Sequence, residues 1–160
     1  MKVNIYLETD KQTQECTWRK YGYVLEAMCG RRPPVTRVGF GSVEGTYHKC
    51  NLQALAEALA QFRKECEVCI HTKDTFVAAR ILKIDEMVAA DFKDTKGKPI
   101  KNAQEWESIC RKIKERGIVI SSQPGKHAYS VWMQEEMRKD GGDGGNMGER
   151  LEPETRTEPG

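Results

Sequence analysis

The stretch CIHTKDTF, residues 69–76, closes an apolar run with strand character and opens a helical one. The end of a buried strand is a place where layered α/β enzymes commonly carry a catalytic acid. Here the strand runs out at an ammonium, Lys73, with Asp74 one step later and His71 on the same strand face as Lys73. A second candidate group closes the first alternating segment, VNIYLETD, where Glu8 and Asp10 fall on one face if the strand continues. Carboxylates gathered in a small volume hold divalent cations, and an ammonium among them repels such ions. Cys66 and Cys69 in CEVC resemble a metal or redox pair, but residues three apart on a strand point to opposite faces, and no second CxxC completes a zinc site. No Ser/His/Asp arrangement or phosphate-cradling glycine loop can be assigned.

The elements that must position these groups follow from periodicity. VNIYLE (3–8) alternates Val3, Ile5 and Leu7 against Asn4, Tyr6 and Glu8, as a strand does. RKYGYVLEAM and VTRVGFGSVEG read as two further strands of an antiparallel meander, separated by a turn in CGRRPP. HKCNLQALAEALAQFRK places Leu52, Leu55, Leu59 and Phe62 on one helical stripe. CEVCIHT (66–72) is a fourth strand. DTFVAARILKIDEMVAA then reads as one helix capped by Asp74. NAQEWESICRKIKERG pairs Asn102 with Glu105 as a capping box, buries Trp106, Ile109, Cys110 and Ile113, and ends at Gly117. IVIS (118–121) is a fifth strand and AYSVWMQEEMRK a last helix. The order predicts an α/β domain, a five-stranded mixed sheet whose first three strands are antiparallel, with helices on both faces. A right-handed crossover sets the strand at 66–72 parallel to and beside the first.

Chain length and 38% hydrophobic content suit one packed core over residues 1–139. Residues 140–160 carry six acids and two arginines among glycines and prolines, so they are expected to form a disordered acidic tail, a candidate docking segment for a protein partner. The remainder holds 24 basic and 18 acidic residues, a mildly basic balance that suits a polyanion. The N-terminus alternates instead of running apolar, and no stretch approaches a membrane span, so a cytoplasmic protein without membrane contact is expected, its six cysteines reduced.

VNIYLETD, KYGYVL, CEVCIHTKDTFV, GKPIKNAQEW and GKHA, collinear over residues 3–138, resemble the type 1 ribonuclease H family. The resemblance implies the ribonuclease H-like fold and a site where four carboxylates hold two Mg²⁺ ions that cut the RNA strand of an RNA/DNA hybrid. Carried over by position, Glu8 stands for the first-strand aspartate, Asn51 for the helix glutamate and Lys73 for the fourth-strand aspartate. Gln134, Glu135 and Glu136 compete for the last-helix acid, with Glu135 taken as the candidate. An ammonium about 4 Å from a divalent ion is repelled by about 8 kcal/mol at an effective dielectric near 20. Lys73 is therefore expected to reach Glu8 and supply charge that a metal would have brought. The competing arrangement is a displaced Mg²⁺ or Mn²⁺ site built from Glu8, Asp10 and Asp74 with Glu135 or Glu136; otherwise no cofactor is expected.

The resemblance also places His127 in the family's mobile histidine loop, here read as a surface histidine before a catalytic one. Thr46, Tyr47, His48 and Lys49 occupy the stretch that in the family meets the hybrid's minor groove, with Tyr47 and His48 in place of two asparagines. Lys96, Lys98 and Lys101, with Lys93, lie near the family's basic substrate handle, whose tryptophans are absent here. Three functions follow: a nucleic-acid-binding domain for an RNA/DNA hybrid or RNA with a degenerate two-metal centre, an active metal-dependent hybrid ribonuclease with rearranged ligands, or a protein-interaction module using the fold alone.

Overall fold

The computed structural model describes residues 1–139; the expected tail at 140–160 lies outside the described residues. Alternation in the first segment produces β1 (Lys2–Thr9), whose Val3, Ile5 and Leu7 are buried on one side of the sheet. It pairs antiparallel with β2 (Thr17–Cys29), which pairs antiparallel with β3 (Arg32–Gly45). The predicted turn shrinks to Gly30 and Arg31, with Gly30 at φ +67°. Pro33 and Pro34, expected to break the chain, lie inside β3 instead. They are tolerated because β3 is an edge strand and both fall in the register irregularity between the Ala27–Val35 and Cys29–Arg32 pairs, where neither is a paired ladder residue.

Helix α1 (Tyr47–Leu59) starts at Thr46, whose hydroxyl accepts the Lys49 amide, and buries Leu52, Leu55 and Leu59 completely. It stops before Phe62, which packs on the core from the following loop. After β4 (Cys66–Thr72) the long predicted helix breaks in two, α2 (Thr75–Ile81) and α3 (Ile84–Ala89). The turn at Leu82–Lys83 brings Ile84 and Met87 against the core. Asn102 is left-handed, at φ 59°, and makes no side-chain cap, so the expected capping box does not form at α4 (Ala103–Glu115). Its buried stripe of Trp106, Ile109, Cys110 and Ile113 does form, and Gly117, at φ +63°, ends it. β5 (Ile118–Pro124) runs longer than predicted, and α5 spans Ser130–Lys139.

The sheet order is β3-β2-β1-β4-β5, with β4 parallel to β1 and β5 parallel to β4, as right-handed crossovers require. The odd residues of β1 pack with α1, α2 and α4 in the main core, while Tyr6 and Val24 pack with Tyr129, Met133 and Met137 under α5. Helices thus cover both faces, and the polar side chains at the carboxyl ends of β1 and β4 lie between α1 and α5. All six cysteines are free. Among the described residues no helix is long and apolar enough to cross a membrane.

Candidate functional site

Glu8 stands at the carboxyl end of β1, on the α5 side, and is 3% exposed. Oε1 meets Lys73 Nζ at 3.1 Å and accepts the Gln134 amide at 2.7 Å; Oε2 accepts the Ser130 hydroxyl at 2.6 Å and lies 3.2 Å from His127 Nε2. A carboxylate offers about four acceptor positions, and here Lys73, just after β4, and Ser130 and Gln134 of α5 occupy three of them. The expected Lys73–Glu8 contact is present. Gln134 also donates to the Thr9 carbonyl at 2.8 Å, which pins α5 to the end of β1.

His127 differs from the surface histidine expected of its loop, its side chain being 3% exposed. The Tyr129 amide donates to Nδ1 at 3.2 Å, so the ring proton sits on Nε2 and is donated to the Leu7 carbonyl, 2.9 Å away, beside Glu8. No lone pair of this ring is left for proton transfer; His127 is a pillar under Glu8. Burial holds its pKa below the ordinary value, reinforced by Lys73 and opposed by the Leu7 carbonyl and Glu8. His71, on the Lys73 face of β4, donates to Asn4 Oδ1 at 3.0 Å and stacks on Tyr6 at 4.5 Å; burial lowers its pKa too.

A second carboxylate, Asp74, is 1% exposed beside the first. Oδ1 accepts the Val77 amide at 3.1 Å and so caps α2, as predicted. Oδ2 does more: it meets His48 Nδ1 at 2.7 Å and accepts the Asn51 amide at 3.2 Å. Asn51 is fully buried and also donates to the Tyr47 carbonyl. Tyr47, a candidate stacking surface, is 7% exposed, and burial pushes its hydroxyl up to about 12. A narrow crevice joins the two halves, lined by Leu7, Glu8, Thr9, Gln12, Tyr47, Asn51 and Lys73.

Other expected members fall elsewhere. Asp10 turns to the Lys20 amide at 2.9 Å. Glu135 is exposed and pairs with Arg138, which lowers its pKa, and Glu136 pairs with Lys139. The last-helix position facing Glu8 belongs to Gln134, because the turn ending at Ser130 sets the register of α5. Among the described residues no three His, Cys, Asp or Glu side chains converge as a metal site, so the displaced arrangement of Glu8, Asp10 and Asp74 does not assemble. Chemically, one carboxylate ringed by an ammonium, an amide, a hydroxyl and an imidazole N–H is a set of donors facing an acceptor; it does not fit a pair of divalent cations.

Lys96, Lys98 and Lys101 are exposed. The first two sit in a tight turn where Asp94 accepts both of their amides at 2.9 Å, and this turn closes the Lys93–Pro99 bridge. Lys49 is half-buried in the first turn of α1. Three residues of the site had no sequence signal: Ser130 and Gln12, which reach the cleft from loops or helix ends, and Phe76, whose 44% exposed ring lies 4.8 Å from His48.

No protein-family model matches the chain. It is 30% identical over 91 residues to a ribonuclease H of Rhizobium etli, 56% of this chain and 54% of that protein. It is 28% identical over 83 residues to a ribonuclease H of Actinobacillus pleuropneumoniae, 51% and 54% respectively. The chain thus spans about half the length of the curated relatives it matches. Among solved structures, a type 1 ribonuclease H with the type 2 active-site motif superposes with a TM-score of 0.66 at 16% identity, covering 88% of this chain and 72% of that one. A foamy viral protease-reverse transcriptase in complex with double-stranded DNA superposes at 0.58 and 13% identity, covering 87% and 92%. The chain thus has the fold of solved ribonuclease H structures and, over about half its length, is similar in sequence to curated proteins of that name.

Proposed function

We propose that this protein is a ribonuclease H-like nucleic-acid-binding domain that holds an RNA/DNA hybrid or RNA without two-metal hydrolysis. The observation that carries this reading is Glu8, the acid retained at the first-strand position, which is paired with the Lys73 ammonium and accepts from Gln134 and Ser130, with the His127 ring packed 3.2 Å away. A divalent ion entering there would have to displace an ammonium and two hydrogen-bond donors from a buried carboxylate. The mildly basic balance of residues 1–139 and the exposed lysines of the 93–101 loop support a polyanionic ligand. Solved neighbours are complexes of the foamy viral protease-reverse transcriptase with double-stranded DNA and with an RNA/DNA hybrid, which favours the same ligand class.

A second reading, an active metal-dependent hybrid ribonuclease, is favoured by the name of the curated relatives. One experiment separates the two. A hybrid duplex is incubated with the protein in Mg²⁺ or Mn²⁺, and binding is titrated in parallel at several salt concentrations. Salt-sensitive binding without cation-stimulated cutting is expected; cutting that requires the cation would replace the first reading by the second, and absence of binding would remove both.

A further inference from the structure

The half of the cleft away from Glu8 is organised differently. Asp74 can only accept, so the 2.7 Å contact fixes the proton of His48 on Nδ1. That leaves Nε2 with a lone pair and, among the described residues, no hydrogen-bond partner, on a ring whose side chain is 26% exposed. The carboxylate behind it is rigid, held by the first-turn amide of Val77 and by Asn51. A base oriented by a buried carboxylate, with its other nitrogen open, is the pairing that activates hydroxyl nucleophiles. The remaining surroundings suit a nucleotide. Phe76 offers an exposed ring with the Arg80 guanidinium 5.0 Å from its centroid, a platform for an unstacked base beside a cation for phosphate. Lys73, next to Asp74 in the chain, spends one contact on Glu8 and is 24% exposed, so its other N–H groups can face a phosphate.

We propose that His48 and Asp74 form a metal-independent general-base pair acting on the 2′-hydroxyl of a bound single-stranded RNA. This rests on the reading that the cleft binds nucleic acid. Nε2 of His48 takes the 2′-hydroxyl proton; the 2′-oxygen bonds to the adjacent phosphorus; the bond from phosphorus to the 5′-oxygen breaks; and that oxygen is protonated by solvent. The products are a 2′,3′-cyclic phosphate and a 5′-hydroxyl, with no metal and no co-reactant. Lys73 offsets the charge that builds on the phosphate oxygens. A flexible strand is the substrate, because the 2′-oxygen must swing opposite the leaving oxygen, which a regular duplex resists.

The full chain is incubated in EDTA with an end-labelled single-stranded RNA and with its 2′-deoxy counterpart, and binding of both is followed by fluorescence anisotropy. Cleavage of the RNA to cyclic-phosphate ends is expected, with the deoxy strand bound and intact. His48→Ala should lower the rate about 100-fold or more while affinity is retained. Asp74→Asn, which keeps an N-cap, should lower it as well. RNA that is bound but uncut in EDTA, or cut equally by His48→Ala, overturns the general-base pair and leaves the binding reading standing. Single-stranded RNA that is not bound overturns the general-base pair and leaves the hybrid-binding reading to the duplex titration; cutting that appears only when Mg²⁺ replaces EDTA overturns the general-base pair in favour of the metal-dependent reading.

Discussion

Glu8 and Asp74 are two buried carboxylates at the ends of neighbouring parallel strands, and they are used in opposite ways. Glu8 is enclosed by the ammonium of Lys73, just after β4, and by two donors from α5, so its charge is offset where it stands and it acts as a tie between β1, β4 and α5. Asp74 is satisfied mostly by its own helix and by Asn51, and it spends its second oxygen on a histidine with a nitrogen to spare. Burial alone therefore does not decide whether an acid is available for chemistry. What decides it is whether its partners end the chain of hydrogen bonds or pass it on to solvent.

The contrast can be tested from the strongest effect downward. Glu8→Gln should remove the partner of Lys73 and present an amide to donors, at a cost of about 3 kcal/mol in urea unfolding, the low end for a broken buried pair because Lys73 can turn to water. A loss below about 1 kcal/mol would show that the tie is not structural. Lys73→Asp combined with Asn51→Glu should crowd two new acids against Glu8 and Asp74 and make thermal stability depend on Mg²⁺, with about 2.7 kcal/mol regained at 100 times the dissociation constant. Equal melting in EDTA and Mg²⁺ would mean that geometry, and not the ammonium, keeps cations out. Asp74→Ala should cost about 1–2 kcal/mol through the lost cap, and Asp74→Asn less; equal losses would assign the effect to His48 and not to the helix end.

The smallest effect is on pH. His71 and His127 are held below their ordinary value of 6.5 by burial, so the unfolded chain takes up protons that the folded one refuses. Their contribution to stability is complete above about 6.5 and is lost as pH falls from there toward the folded values. Stability measured between neutral and mildly acidic pH should decline, and His127→Gln should flatten the decline. A wild-type profile with no slope below 6.5 would contradict the burial of both rings.

The fold was legible because its signals are local. Alternation in VNIYLE, the leucine stripe of α1 and the aromatic-aliphatic stripe of α4 each report one buried face, and crossover handedness orders the strands. Misreadings arose where context overrides propensity: Pro33 and Pro34 sit in a strand because that strand is an edge, and Asn102 fails as a cap because its backbone is left-handed. Within the site, Glu8, Asn51, Lys73 and Asp74 could be named from position along the chain. The choice of Gln134 over Glu135 could not, since it depends on where one turn of α5 faces the sheet.

Residue identities by themselves determined the charge balance of the cleft: an ammonium and an amide stand at positions where the family resemblance leads one to expect acids, and no packing can turn them into carboxylates. Only the tertiary structure decided which acids are closed and which are open. It set His127 under Glu8 and His48 against Asp74, because each pairing spans segments far apart in sequence and forms only when the sheet and helices bring them within hydrogen-bonding range.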